Sequence, residues 1–122
     1  MKLTANAEQF IFSNIKKVII EFIDGYRVTL NSIKEHYIDF RKNEKSRIEI
    51  QNIFIDKELF NRFCTDDDIA YLYIEGTGGD LYGNEVTGVF DIPCDMRIKG
   101  IRINGDVTTA TEVYVCLEGR IN

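Results

Sequence analysis

Arg97, Lys99 and Arg102 set cationic side chains close together on one β-prone run. Like charges on one face of a strand, with no acid between them, suit a phosphate or carboxylate. Ionised donors make short, strong hydrogen bonds to such groups. At a strict period of two, Arg97 and Lys99 share a face and Arg102 points to the other. The same residues would also protect an exposed sheet edge, where Lys and Arg discourage pairing with other chains.

The densest glycine segment is Gly76-Thr77-Gly78-Gly79-Asp80-Leu81-Tyr82-Gly83. It reads as a loop over 76–85. Glycines let a ligand approach the backbone, and Tyr82 offers a stacking surface on a loop. Gly76, Gly78, Gly79, Tyr82 and Gly83 therefore join the cations as candidate ligand-binding residues, and a hairpin would bring the two groups together. A long hairpin loop without a ligand is the plainer alternative. The segment is no nucleotide fingerprint. G-x-G-x-x-G would need glycine where Leu81 stands, and a P-loop would need Lys and Ser or Thr where Asn84 and Glu85 stand. No helix signal follows to supply a dipole.

Catalytic and metal-binding patterns are thin. His36 is the single histidine, so any Ser-His-Asp or Cys-His arrangement would have to use it. It lies mid-strand between Glu35 and Tyr37, and the chain holds no G-x-S-x-G. Asp66-Asp67-Asp68 lacks the alternating ligands and central glycine of a calcium loop and reads as a solvated corner. Cys64, Cys94 and Cys116 have no C-x-x-C spacing, which disfavours zinc. The expectation is no catalytic residue, no metal and no cofactor. An odd cysteine count, with no apolar leader in the first residues, points to reduced thiols and a cytoplasmic setting. No apolar run approaches the ~18 residues of a membrane span.

The chain has 122 residues, 44% hydrophobic and 29% charged, with a net charge of −5. That describes one globular domain over 1–122. The charge is uneven: residues 1–61 carry 10 Lys/Arg against 9 Asp/Glu, and residues 62–122 carry 5 against 11. General nucleic-acid binding needs a basic face to release counterions, and this balance argues against it. A few local cations remain compatible with a small anionic ligand.

The elements that must carry these residues are mostly strands. Val18, Ile20 and Phe22 alternate with Ile19, Glu21 and Ile23. Asp24-Gly25 follows, then Tyr26 to Leu30, a strong hairpin signal. Further strands are expected at about 33–40, 47–55, 69–75, 86–92, 97–103 and within 107–117, with Gly88 as a bulge and Pro93 ending a ladder. The 69–75 run is apolar on both faces, which predicts a strand covered on both sides. One short helix is expected over 57–64, capped by Asp56, with Leu59, Phe60 and Phe63 on one face. Phe54, Leu59, Phe63, Leu72, Ile74 and Val115 are expected in the core.

The fold expected is therefore mainly β: a single-domain antiparallel β-sandwich or partly open barrel with one short helix at about 57–64. The function expected is a non-catalytic binding or interaction module. Its Ile-rich, acidic composition has the character of phage and mobile-element accessory proteins, which sequester a small anionic ligand or block a host protein. A structural assembly subunit of virion or tail type is the alternative, and a small hydrolase-type enzyme a more distant one. Opposite charge in the two halves suggests a homo-oligomer.

Overall fold

Alternating apolar residues separated by Gly, Asp and Asn turns give a chain of strands and, among the described residues, no helix. The computed structural model describes residues 9–30, 33–41, 45–52, 68–80, 82–104 and 112–121. Its strands are β1 (Gln9–Phe22), β2 (Arg27–Leu30), β3 (Ile33–Arg41), β4 (Ser46–Asn52), β5 (Ile69–Asp80), β6 (Glu85–Asn104) and β7 (Glu112–Ile121). The helix expected over 57–64, with Phe54, Leu59 and Phe63, lies outside the described residues.

Asp24-Gly25 makes the first turn. Gly25 adopts φ +87°, which glycine reaches without a Cβ clash. The Gly25 amide donates to the Phe22 carbonyl at 2.9 Å and the Phe22 amide to the Tyr26 carbonyl at 2.9 Å. The Asp24 carboxylate accepts from the Tyr26 amide at 3.1 Å, the local bond that favours Asp in turns.

All strand pairs are antiparallel and belong to one sheet, in the order β2-β1-β3-β4-β7-β6-β5, and β5 also pairs with β1. The sheet therefore curls round on itself as a partly open barrel rather than splitting into a sandwich. One edge of β1 runs along β5 from Phe10 to Phe22. Its other edge is divided: Gln9–Ile11 meet β3, and Val18–Glu21 meet β2. The seam between β1 and β3 is short, and there the barrel is least closed.

Bulges set the curvature. In β1 the buried residues run Phe12, Ile15, Val18, Ile20 and Phe22. The first steps are three residues, not two, because the pairing with β5 shifts at Ser13 and again at Lys16. Each extra residue bends the strand and resets which side faces inward. The same three-step joins Ile69 to Leu72 in β5, where the pairing with β1 shifts, and Ile98 to Ile101 in β6, where the pairing with β7 shifts. Inside, Val28, Leu30, Ile48, Ile50, Ile74, Phe90, Ile92, Met96, Val115 and Leu117 complete the core. Phe12 and Phe90 meet edge-to-face at 5.1 Å. Each such side chain contributes about 1.5–3 kcal/mol on burial.

Several expectations need correction. The two runs expected at 86–92 and 97–103 form one strand, β6. Pro93 sits inside it, in register with Tyr71 of β5 beside a register shift and one residue before the pairing with β7 begins at Cys94, an irregular place where a strand tolerates proline. Gly88 is no bulge but pairs in register with Gly76. The 69–75 run is covered on one side only. Its bulge sends Ile69, Leu72 and Ile74 inward, while Tyr71 and Tyr73 stack on the outer surface at 6.0 Å.

Candidate functional site

The cation-bearing stretch of β6 is placed by a bulge. Ile98 pairs with Leu117 and Gly100 with Cys116, so Lys99 is the extra residue. A bulge reverses the in–out alternation beyond it. Ile98 and Ile101 both pack on the core, and Arg97 and Arg102 both emerge on the outer surface. This corrects the period-two expectation that Arg102 points away from Arg97. Lys99 is exposed on the same side, near enough to Glu118 to lower its pKa.

β7 lies between β4 and β6, and residues in register form rows across the three strands. One row is Arg47, Glu118 and Arg97. Glu118 is held by Lys45 at 3.0 Å and by Arg47 at 3.4 Å. The hydrogen bond from Lys45, with the charges of Lys45, Lys99 and Arg47, keeps its carboxyl below the ordinary range. The next outer row but one is Gln51, Tyr114 and Arg102. The Tyr114 hydroxyl donates to Glu49, and the Arg102 guanidinium lies over the Tyr114 ring at 4.5 Å. Arg47 also donates to Glu49 at 2.9 Å. Glu49 is thereby pulled below the carboxylate range, first by Tyr114 and then by Arg47. Tyr114 is pushed up by the same bond. Between these rows Cys116 stands opposite Glu49 and Gly100, only 3% exposed.

These shifts all move the pKa values away from physiological pH, leaving Glu49 and Glu118 ionised and Tyr114 neutral there, so the face keeps one charge pattern. Arg97 binds Asp68 at 2.8 Å yet leaves 75% of its side chain exposed. Among the described residues, Lys99 and Arg120 have no ion-pair partner. Charge-assisted contacts are thus available at Arg97, Lys99 and Arg120, over a framework stiffened by Arg47, Glu49, Tyr114 and Glu118.

The glycine segment is elsewhere and is not a loop. Gly76, Gly78 and Gly79 lie within β5, paired with β1 on one side and β6 on the other. A Cβ at Gly76 would run into the Asn14 carbonyl oxygen, so this glycine lets the bulged β1 cross close by. The turn proper holds Tyr82, 81% exposed, and Gly83 at φ +83°. From Glu85, beside that turn, to Arg97 is twelve residues, about 40 Å of extended strand. The hairpin therefore does not bring the glycines and Tyr82 to the cations. Gly76 instead lines a cleft over β1, β5 and β6.

His36 stands opposite Ile50 in the β3–β4 ladder. Asp66 and Asp67 lie outside the described residues, and Asp68 serves Arg97. Among the described residues no group of His, Cys, Asp or Glu gathers as a metal site, and no helix is long and apolar enough to cross a membrane. Sequence reasoning missed Tyr114, Glu49 and Arg47 as parts of the cationic face. The one available signal was the three-residue step from Ile98 to Ile101, which betrays the bulge. No protein family, no curated protein and no solved structure matches the chain.

Proposed function

We propose that this protein is a non-catalytic interaction module that holds the acidic surface of a partner protein on the outer face of β4, β7 and β6. The observation that carries this reading is the Lys99 bulge, which gathers Arg97, Lys99 and Arg102 on one exposed face. Arg120 and the ion-paired Lys45 and Arg47 flank them. Neighbouring strands are about 4.8 Å apart, so the face spans roughly 10 Å between the cations of β4 and β6. That spacing suits several carboxylates spread over a surface better than one small anion. Fixed charge complementarity of this kind gives specificity and orientation. The net charge of −5 disfavours nucleic acid, whose binding scales with the number of phosphates neutralised.

The reading takes the protein to be cytoplasmic and self-associating, on the reduced thiols and the uneven charge of its two halves. Light scattering across the micromolar range should give a defined oligomer; a constant monomer mass would remove self-association. Binding itself is tested with an oligoglutamate peptide at low salt. The Arg97→Ala/Lys99→Ala double variant should weaken binding about tenfold or more, the scale of a lost charge-assisted contact. Its melting temperature should stay nearly unchanged, because exposed charges contribute little to stability. Unchanged affinity would move the interface elsewhere.

A further inference from the structure

Far from the cationic face, a cleft of about 170 Å³ opens where β1 passes over β5 and β6. Its cause is local. Gly76 and Gly88 are partners across β5 and β6, so bare backbone forms the floor. On one side stand Thr77 and Thr87, their hydroxyls 2.7 Å apart. On the other stands Val89. The bulges in β1 turn Asn14 and Lys16 over the opening.

The polar groups are unequally committed. Glu75 at the rim faces Lys17 at 3.9 Å. Among the described residues, the Lys16 ammonium and the Asn14 amide have no partner. The cleft is thus lined by one ammonium without an ion-pair partner, a carboxylate that faces Lys17 and a free amide. In the threonine pair one hydroxyl hydrogen is used between the two oxygens, leaving one donor and several lone pairs. The volume is close to that of a cavity that holds benzene, about 150 Å³, so about six non-hydrogen atoms fit. Concave sites with a few convergent polar groups over an apolar floor are where small ligands bind.

We infer that this cleft binds a short hydroxycarboxylate. Its carboxylate meets Lys16 and Asn14, its hydroxyl meets the Thr77–Thr87 pair, and its carbon chain lies against Gly76, Gly88 and Val89. The site shares strand β6 with the proposed protein interface but none of its residues, and the two stand or fall separately.

Lactate added to the full-length chain is the probe, followed by amide NMR shifts and calorimetry. Saturable shifts are expected at residues 14–17, 75–77 and 87–89. Lactamide, which lacks the charge, and propionate, which lacks the hydroxyl, should both bind more weakly. Lys16→Met should weaken lactate about tenfold or more. Thr87→Val should abolish the preference for lactate over propionate. Shifts confined to residues 97–102 and 114–120 would assign the anion to the cationic face and overturn the inference. Equal binding of lactate and lactamide by the unaltered chain would do the same, with no variant needed.

Discussion

The Arg102 guanidinium lies 4.5 Å from the centre of the Tyr114 ring, and the bulge at Lys99 is what puts it there. Without the extra residue, Arg102 would point into the barrel, where Ile101 now packs. Tyr114 is held from below by its bond to Glu49, so one aromatic ring links the cations of β6 to the acids of β4. Cation–π contacts at exposed sites contribute about 0.5–1 kcal/mol. The pair therefore positions side chains more than it stabilises the fold.

The Glu49–Tyr114 bond should be visible in acid titrations. Glu49 is drawn below its ordinary value of 4.5 by Tyr114 and Arg47. A group whose folded pKa is lowered contributes stability above its unfolded pKa. That contribution is lost as the pH falls through the folded value. The carboxyl resonance of Glu49 should titrate below 4.5, and Tyr114→Phe should raise its midpoint. An unmoved midpoint in that variant would show that Tyr114 does not control Glu49. Because Glu49 is only part-buried and its partner Arg47 is half exposed, the accompanying loss of stability should be small.

Leu72 tests the core. It is fully buried and stands between Ile20 of β1 and Ile92 of β6. Leu72→Ala should cost about 2–5 kcal/mol in urea unfolding, the usual range for a buried leucine. A loss under about 0.5 kcal/mol, typical of surface positions, would contradict this placement.

Two glycines should respond oppositely to alanine. At Gly76 a Cβ meets the Asn14 carbonyl oxygen of the adjoining strand, whereas at Gly100 nothing lies within 4 Å. Gly76→Ala should destabilise by about 1–3 kcal/mol, because backbone must move. Gly100→Ala should stay within about 0.5 kcal/mol of the original. Thermal melts of the two variants compare them directly; similar losses would mean that β1 does not cross at Gly76.

Thiol labelling tests the cysteines. Cys94 and Cys116 are free and buried. Burial pushes the Cys94 thiol up to about 12, and its Sγ lies 3.6 Å from the Ile69 carbonyl oxygen. Alkylation in the folded state should spare both, since the thiolate is the reactive form. Unfolding without reductant should then expose all 3 cysteines of the chain. An intramolecular disulfide recovered from that sample would refute the reduced-thiol assignment.

Local pattern was enough to show that this chain is antiparallel β. Alternation placed Val18, Ile20, Phe22, Ile48, Ile50, Val115 and Leu117 on inward faces, and Asp24-Gly25 located the first hairpin. These features depend on a residue and its near neighbours, so they are legible without a partner strand. Glycine density was misleading for the converse reason. Gly76, Gly78 and Gly79 look like a loop in isolation, but they are strand residues, and at Gly76 β1 leaves no room for a Cβ.

The tertiary structure alone decided the closure of β1 onto both β3 and β5, the continuity of β6 through Pro93, and the face on which Arg102 emerges. Each depends on the pairing register between distant segments. A bulge is defined by two residues opposing one, so it has no meaning until the partner is known. A single such residue reverses every side chain beyond it. The sequence carried the cations and the three-step spacing of Ile98 and Ile101. Pairing with β7 turned that spacing into one charged face.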